Sequence, residues 1–225
     1  MIDSPDVIVF DVNGTLSDMG PLAGAFIESG APGHLATQWF ATVLRDGFAV
    51  TAAGGSAPFA QIAQDNLSRL LTEHGVPSVA DGTGRIMEAL RNLGVHPDVP
   101  SGVEALAGAA QLVTLSNGSA QVAQTLLETG GLLRHFTRLL SVEDAPGWKP
   151  ARSAYAYAAV ECGVAPSRML LVAVHPWDIH GAHAAGLRTA WLNRSGAAYP
   201  GYFTSPDIEI PDLPALARQL ATPRP

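Results

Sequence analysis

The chain carries the stretch VIVFDVNGT at residues 7–15, and this stretch decides the predicted fold. Its first half, VIVF, is an unbroken apolar run rich in β-branched residues, which is typical of a central parallel strand covered on both faces. Its second half places a carboxylate, Asp11, at the carboxyl end of that strand, where ligands bind in open parallel sheets. Gly14 lets the backbone approach a ligand closely, and the Thr15 hydroxyl can hold a carboxylate in one rotamer. The stretch alone indicates either a site or a turn that favours Asp and Gly for conformational reasons.

Length, charge and cysteine content narrow the possible classes of protein. The 225 residues are enough for one domain with a large insertion. No window reaches the roughly 18 unbroken apolar residues of a membrane-spanning helix, and no secretory signal precedes the first apolar run, so we expect a cytoplasmic protein with no membrane partner. The net charge of −7, with scattered basic residues, indicates no nucleic-acid partner. The single cysteine, Cys162, cannot form an internal disulfide and is interpreted as a small buried hydrophobe.

The order of predicted elements indicates an α/β protein with an insertion. Short apolar runs separated by helical patterns predict a Rossmann-like parallel sheet with right-handed crossovers. The predicted strands are Val7–Phe10, Leu112–Leu115, Thr137–Leu140, Met169–Val174 and Thr189–Leu192. From about Pro21 to His74 the apolar residues recur at helical spacing instead. We therefore predict a core domain of residues 1–16 and 95–225, an α-helical cap subdomain of residues 17–94 over the strand ends, and a proline-rich tail that wraps the surface around one short helix, Leu213–Leu220.

Three further polar segments follow predicted strands and would meet Asp11 at the same edge of the sheet. They are Ser116-Asn117-Gly118, Lys149-Pro150 and the HPWD segment at residues 175–178. Each also suits a purely structural role, since Ser116 could cap a helix, Lys149 could lie on a solvated surface and Asp178 could begin a helix. Together, however, two acids, a lysine and a Ser-Asn pair at one sheet edge favour a site built around a carboxylate nucleophile.

In the order and spacing of these segments, the chain resembles the haloacid dehalogenase superfamily over nearly its whole length. The resemblance implies a Rossmann-like core with a helical cap, in which Asp11 attacks the substrate, Ser116 binds an anionic group and Lys149 neutralises the site. Most members are magnesium-dependent phosphatases, but two positions here argue against that chemistry. The usual general acid is replaced by Asn13, which cannot donate and recover a proton, and a usual metal ligand is replaced by Val174, which offers magnesium no oxygen. We therefore expect no metal and no cofactor.

The remaining matches resemble the branch of (S)-2-haloacid dehalogenases, which hydrolyse carbon–halogen bonds without a metal. That branch carries Ser-Asn-Gly after the second strand, as at residues 116–118, and a Trp-Asp pair after the fourth, here Trp177-Asp178. It also carries an arginine in the first cap helix, matched here to Arg45, and a tyrosine that helps to close the site, matched to Tyr155. Two simpler interpretations stay open, namely that Arg45 is a surface arginine and Tyr155 a core residue.

The resemblance and the residue types together predict how such a site would work on a short 2-haloalkanoic acid. Asp11, oriented by Thr15 and kept ionised by Lys149, would attack the halogen-bearing carbon with inversion and form an ester. Asp178 would then activate a water molecule that hydrolyses this ester. The substrate carboxylate would rest on Ser116 and on backbone amides near residues 12–14. Hydrogen-bond donors and apolar rings would hold and shield the departing halide, and the candidates are Arg45, Asn117, Trp177 and Phe59.

Two pocket positions depart from that branch. Asn13 stands where an aromatic residue, commonly Tyr, is usual, and it would widen the pocket or add polarity. His175 stands where Asn is common, and it could orient water, bind halide or only complete a loop hydrogen bond. The preferred haloacid, and whether fluoride is released, are therefore open from the sequence. His180 and His183 lie three apart on a predicted helix, but no matching acids or cysteines accompany them, so they indicate no metal cluster.

Two other functions stay open from the sequence. One is a phosphatase of the same superfamily with an altered metal site, and the other is a non-catalytic protein that binds a small carboxylate. The presence of Asp11, Lys149 and Asp178 together argues against a mere binder, because two buried acids that share one lysine would contribute little to binding. Relatives of this branch are commonly dimers, so a homodimer is the one protein partner that we consider.

Overall fold

The computed structural model describes residues 4–221, and its core is a six-stranded sheet. The order of the strands is β3-β2-β1-β4-β5-β6, and every neighbouring pair is parallel. The strands are β1 Val7–Phe10, β2 Gln111–Ser116, β3 Phe136–Ser141, β4 Met169–Ala173, β5 Arg188–Leu192 and β6 Ile208–Ile210. The strand order reverses at β1, which has β2 on one side and β4 on the other, and ligand sites in such sheets lie at this switch point.

Burial on both faces explains why β1 is apolar throughout. All four residues of β1 are fully buried. Val7 and Val9 pack in the hydrophobic cluster that continues into the inserted helices, whereas Ile8 and Phe10 pack in the cluster on the opposite face of the sheet. Side chains alternate across a strand, so a strand that is covered on both faces has no position for a polar residue. The predicted α/β architecture with a parallel sheet is therefore confirmed.

Nine α-helices surround the sheet within residues 4–221, and four of them form one inserted group. They are α1 Leu22–Glu28, α2 Leu35–Ala52, α3 Phe59–Glu73, α4 Val79–Arg91, α5 Val99–Leu106, α6 Ala120–Thr129, α7 Arg152–Cys162, α8 Pro176–Ala184 and α9 Leu213–Ala221. Helices α1 to α4 lie between β1 and α5 in the chain, where the sequence predicts the cap. The two segments that connect this group to the core run antiparallel, and Ser17 bridges to Val95. Among the described helices, none is both long enough and apolar enough to cross a bilayer.

The C-terminal segment is more ordered than the sequence predicts. The predicted helix Leu213–Leu220 is present as α9, but the residues before it form the strand β6 parallel to β5 instead of a surface wrap. The three residues of β6 are too few to show a periodic pattern, so this strand could not be predicted. Leu213 and Leu216 of α9 are fully buried, and Gly102 of α5 permits the close approach, since a methyl group there would lie 2.2 Å from Leu213 Cβ. The tail prolines Pro223 and Pro225 lie outside the described residues.

The inserted helices meet the core at Trp148, which directly precedes Lys149. The amide of Trp148 donates to Thr51 Oγ1 at 3.1 Å, and its indole donates to the carbonyl of Ala57 at 3.1 Å. The ring of Phe59 stacks on it at a centroid distance of 5.8 Å. Gly47 of α2 supplies the remaining wall, because a methyl group at that position would lie 2.3 Å from the Trp148 ring. The cap therefore helps to fix the backbone that carries Lys149.

Replacing Gly47 by alanine is expected to lower the free energy of unfolding by about 1–3 kcal/mol, because the new methyl group would overpack Trp148. Gly24 is the matched control, since it is an exposed helical glycine with no atom within 4 Å of an added methyl group. The same change there is expected to raise stability by up to about 1 kcal/mol through helix propensity. Urea unfolding followed by tryptophan fluorescence measures both, and equal effects at the two positions would contradict the close contact.

Candidate active site

The polar segments that follow the strands converge at one edge of the sheet. Asp11 follows β1, Ser116 ends β2, Lys149 lies in the loop between β3 and α7, and Asp178 lies in the first turn of α8 after β4. The strands β2, β1 and β4 are adjacent and parallel, so their carboxyl ends lie side by side. The four side chains are buried. The arrangement thus places two acids and one lysine in a single pocket beneath the cap.

The Lys149 ammonium lies between the two carboxylates. Its Nζ is 2.9 Å from Asp11 Oδ1 and 2.6 Å from Asp178 Oδ2. Neither Lys149 nor Asp178 has any exposed side-chain surface, and only 5% of the Asp11 side chain is exposed. Because a buried charge is stable only when it is paired, these three groups depend on one another. Two acids and one lysine leave the ionised group with one net negative charge.

Each carboxylate has a second hydrogen bond that fixes its orientation. The Thr15 hydroxyl donates to Asp11 Oδ2 at 2.6 Å, and Thr15 Oγ1 accepts from the amide of Val174 at 3.1 Å. The Tyr155 hydroxyl donates to Asp178 Oδ1 at 2.6 Å. Tyr155 is therefore a fully buried partner of Asp178 rather than only a packing residue. Each acid thus accepts a hydrogen bond at both of its carboxylate oxygens, one from Lys149 and one from a hydroxyl group.

The same lysine leaves the two acids with pKa values that move in opposite directions. Burial raises the pKa of Asp11, but the charge of Lys149, the neighbouring His175 and the Thr15 hydrogen bond outweigh it, so this pKa lies below its ordinary value. Burial also raises the pKa of Asp178, and the negative charge of Asp11 adds to that effect, so its pKa lies above its ordinary value despite Lys149. Burial lowers the pKa of Lys149, but the two carboxylates raise it by more. The pKa therefore lies above its ordinary value, and the ammonium stays charged. Such a divergence is typical of an acid–base pair with separate tasks.

The Ser116–Gly118 turn lies against Lys149 and offers a hydroxyl. The amide of Gly118 donates to Ser116 Oγ at 2.9 Å. The side chain of Asn117 accepts from the amide of Lys149 at 2.9 Å and donates to its carbonyl at 3.2 Å. These two bonds clamp the backbone of Lys149, so the structure gives Asn117 a positioning role that the sequence did not predict.

Aromatic rings form the wall of the pocket on the side of α8 and the cap. His175 stacks on Trp177 with ring centroids 5.1 Å apart and lies 6.1 Å from the ring of Phe40. His175 Nε2 lies 2.8 Å from the carbonyl oxygen of Asn13 and 3.6 Å from Asp11 Oδ2. The centroid of the Trp177 ring lies 5.9 Å from Lys149 Nζ, and the same ring packs edge-on against Phe48. The rings cover the charged group and limit its contact with water.

Arg45 does not join this group, which corrects the sequence-based expectation. Its side chain is 66% exposed and binds its neighbour Asp46, with Arg45 Nε 2.8 Å from Asp46 Oδ1. The buried positions of α2 explain the placement: Trp39, Val43, Leu44 and Gly47 follow helical spacing, with Phe40 half-buried beside them, so Arg45 lies off that face. Phe40 borders a cavity of about 240 Å³ with Gly14 and His175, and Ala36 and Thr37 of α2 line the same cavity. The helical spacing could have identified Phe40 from the sequence.

Contacts from Arg194 and His96 that fix the loop after β1, residues 11–15, were not predicted from the sequence. Arg194 Nη2 donates to the carbonyl of Thr15 at 3.0 Å, and Arg194 Nε donates to Asp98 Oδ1 at 2.9 Å. The ring of His96 lies against the same loop, with Nε2 3.1 Å from the carbonyl oxygen of Gly14. Arg194 comes two residues after β5, so the rule that polar residues gather beyond strand ends could have identified it.

The donor set does not fit a magnesium ion. Magnesium requires near-octahedral oxygen ligands, whereas the space between Asp11 and Asp178 is bridged by the Lys149 ammonium. Val174, at the position of the missing ligand, contributes no oxygen from its side chain. Across residues 4–221, no three His, Cys, Asp or Glu side chains group in a way that could hold a metal ion.

The Tyr155→Phe variant is expected to raise the pKa of Asp178, because it removes a hydrogen bond that stabilises the ionised carboxylate. A ¹³C NMR titration of the carboxyl carbons measures this, with the Asp178 signal assigned by its loss in Asp178→Asn. Tyr157→Phe on the same helix is the matched control and is expected to leave that titration unchanged. A titration that is the same in Tyr155→Phe and the unmodified protein would contradict the assigned hydrogen bond.

The sequence of the chain matches a known protein family. The family profile described as "Hydrolase: haloacid dehalogenase-like hydrolase" matches residues 5–186. Haloacetate dehalogenase H-2 of Moraxella sp. (strain B) is 27% identical over 220 residues, covering 96% of this chain and 98% of the relative. (S)-2-haloacid dehalogenase 1 of Pseudomonas sp. (strain CBS-3) is 30% identical and covers 83% of each chain.

Solved structures agree over the whole molecule. A dehalogenase with an intermediate complex superposes with a TM-score of 0.92 at 27% identity, covering 99% of this chain and 100% of the other. The L-2-haloacid dehalogenase of Xanthobacter autotrophicus superposes with a TM-score of 0.87 at 25% identity and covers 98% of both chains. With the profile match over residues 5–186, these likenesses show that the chain belongs to the haloacid dehalogenase-like hydrolase family.

Proposed function

We propose that this chain is a hydrolase that cleaves the carbon–halogen bond of short 2-haloalkanoic acids, without a metal or cofactor. The observation that carries the proposal is the buried Asp11–Lys149–Asp178 group, in which one lysine contacts both acids. An ionised acid and a second acid of raised pKa supply a nucleophile and a general base in one pocket. The named activities of the relatives, haloacetate and (S)-2-haloacid dehalogenation, support the same reaction.

In the first step, an oxygen of Asp11 attacks C2 of the substrate from the side opposite the halogen. A carbon–oxygen bond forms, the carbon–halogen bond breaks with its electron pair leaving on the halide, and the configuration at C2 inverts. Thr15 and Lys149 fix the attacking carboxylate, which lowers the entropic part of the barrier. The Ser116 hydroxyl and the backbone near residues 12–14 would hold the substrate carboxylate, although the Gly14 amide already donates to Ser17 Oγ.

In the second step, Asp178 takes a proton from a water molecule that attacks the ester carbonyl carbon of Asp11. Lys149 stabilises the negative charge that develops on the carbonyl oxygen. Collapse of this intermediate breaks the bond between the Asp11 carbonyl carbon and the substrate oxygen, and the departing alkoxide takes the proton back from Asp178. A 2-hydroxy acid of inverted configuration leaves, and Asp11 returns to a carboxylate as the second proton of the water is lost to solvent. The raised pKa of Asp178 suits it to accept the proton, and Tyr155 holds it in place.

The halide would leave along the aromatic wall. With Arg45 bound to Asp46 at the surface, the cap supplies the ring of Phe40 at this wall, beside His175 and Trp177. These rings exclude water from the breaking bond, which strengthens the electrostatic interactions inside the pocket. The homodimer and the cytoplasmic location stay predictions.

Halide release from the two enantiomers of 2-chloropropionate and from chloroacetate tests the proposed function. We expect chelator-insensitive release that is largely confined to the (S) enantiomer. The Asp11→Asn variant is expected to lose at least about 10³-fold in rate, because it removes the nucleophile. No halide from any of these acids, from protein that is folded by circular dichroism, would reject the proposal. Magnesium-dependent release of phosphate from phosphate esters would favour the phosphatase alternative.

The Arg45→Ala variant is expected to change kcat/KM for 2-chloropropionate by less than about twofold, because an exposed ion pair contributes little. Arg69→Ala is the matched control, since Arg69 faces the same Asp46 from α3. Steady-state halide release measures both variants. A loss of tenfold or more that is confined to Arg45→Ala would mean that Arg45 reaches the substrate during turnover.

A further inference from the structure

Arg194 contacts the backbone of the loop that carries Asp11. Its Nη2 donates to the carbonyl of Thr15 at 3.0 Å, and its Nη1 donates to the carbonyl of Gly14 at 3.4 Å. His96 Nε2 lies 3.1 Å from the same Gly14 carbonyl oxygen. The chain turns sharply here, because Gly14 has a φ angle of 80°, a conformation that residues with a side chain rarely adopt. Two successive carbonyls of this turn are therefore held by side chains from outside the loop.

Asp98 fixes the guanidinium of Arg194 in one orientation. Arg194 Nε is 2.9 Å from Asp98 Oδ1, and Nη2 is 3.1 Å from Asp98 Oδ2, which is the two-bond geometry that suits an arginine and a carboxylate. Asp98 Oδ2 also accepts from the amide of Leu213 at the start of α9, at 3.0 Å. Only 21% of the Arg194 side chain and 16% of the Asp98 side chain are exposed, so water and salt weaken this pair less than a surface pair.

Thr15 connects Arg194 to Asp11. Its carbonyl accepts from Arg194, and its hydroxyl donates to Asp11 Oδ2 at 2.6 Å. Thr15 is fully buried, and its Oγ1 also accepts from the amide of Val174 at 3.1 Å. Because a β-branched side chain has few χ1 rotamers, the position of this hydroxyl follows from the position of the Thr15 backbone. A shift of that backbone would therefore move the hydrogen bond that orients Asp11.

We propose that Arg194, fixed by Asp98, is a positioning residue for the attacking carboxylate of Asp11 and that it acts through Thr15. The proposal rests on the proposed function, which assigns the attack on C2 to Asp11. Displacement at carbon requires the attacking oxygen to be aligned with the breaking bond, so a small misplacement lowers the rate of ester formation more than it weakens substrate binding. Lysine cannot replace Arg194, because an ammonium lacks the planar set of donors that reaches Asp98 and the loop carbonyls together.

Halide release in a single turnover of Arg194→Lys tests this role. The variant keeps a positive charge beside Asp98. We expect its rate at saturating (S)-2-chloropropionate to fall at least about tenfold, and the concentration for half-maximal rate to change by less than about threefold. Arg168→Lys is the matched control, since Arg168 makes a two-bond pair with Asp6 just before β4, at the opposite end of the sheet. The control is expected to keep both values.

A double-mutant cycle with Thr15→Val separates positioning through Thr15 from a general structural role. Without the Thr15 hydroxyl, Arg194→Lys has no bond to Asp11 left to misplace, and we expect it to lower the rate by less than about twofold further. The full tenfold loss in the Thr15→Val background would reject the proposal, and so would an unchanged rate in Arg194→Lys alone.

Asp98→Asn replaces Arg194→Lys in the cycle if the latter is unfolded by circular dichroism. The asparagine oxygen can still accept from the Leu213 amide, whereas the charge that fixes Arg194 is lost. We expect a loss of at least about threefold in the single-turnover rate, with the same dependence on Thr15, because a charged pair is replaced by a weaker neutral acceptor. An unchanged rate, or a loss that persists in the Thr15→Val background, would reject the proposal.

The pKa of Asp11 distinguishes failure of the positioning role from failure of the proposed function. Burial raises this pKa, whereas Lys149, His175 and the hydrogen bond from Thr15 lower it. A weaker Thr15 bond is therefore expected to raise the pKa of Asp11. A ¹³C NMR titration of the carboxyl carbons measures this without any substrate, with the Asp11 signal assigned by its loss in Asp11→Asn.

If no haloacid releases halide, the proposed function fails, and this titration then decides on Arg194 alone. A raised pKa of Asp11 in Arg194→Lys, but not in Arg168→Lys, would support the positioning of Asp11 through Thr15. The same Asp11 titration in both variants would reject it.

Discussion

The buried ion pair network around Lys149 is the interaction on which the rest of the site depends. Two carboxylates in one buried pocket repel each other and lose their hydration, so without the ammonium both could not stay ionised. Lys149 reaches both acids although β2 lies between β3 and β1, because the loop after β3 passes the end of β2. Asn117 clamps the backbone of Lys149, and Trp148 anchors the preceding residue to the cap. The position of Lys149 Nζ therefore depends on the order of the strands, on the conformation of this loop and on the position of the cap.

One cation can give two acids different tasks because their other neighbours differ. Asp11 lies near the charge of Lys149 and near His175, and it accepts a hydrogen bond from Thr15. These interactions outweigh burial, so its pKa lies below the ordinary value. Asp178 is more deeply buried, and it lies near the negative charge of Asp11. Hydrogen bonds from Lys149 and Tyr155 do not offset these two effects, so its pKa lies above the ordinary value. The divergence follows from position in the fold, since both residues are aspartates with the same intrinsic acidity. In the proposed reaction it separates the nucleophile from the base.

The cap contributes rings and cavities rather than charge to this pocket. The rings of Phe40 and Phe59 lie next to each other with centroids 6.4 Å apart, each also bordering a separate cavity, and Gly47 lets α2 pack directly against Trp148. Arg45, just over one turn beyond Phe40 along α2, faces solvent. In the proposed reaction, the cap therefore shields the leaving anion with aromatic rings and supplies no charge to pair with it.

The sequence by itself determined the parallel sheet and the inserted helices, because β-branched runs and helical periodicity are local patterns. It also determined the four polar segments at the edge of the sheet, because each one directly follows a predicted strand or opens a predicted helix. It also identified Asp11, Lys149 and Asp178, because polar residues that follow parallel strands gather at the same edge of the sheet. Tertiary structure alone decided how Asn117 and Tyr155 are used, and that Arg194 pairs with Asp98 behind the loop that follows β1. It also decided that three residues near the C-terminus form β6. These features depend on contacts between residues far apart in the chain, and no local pattern carries that information.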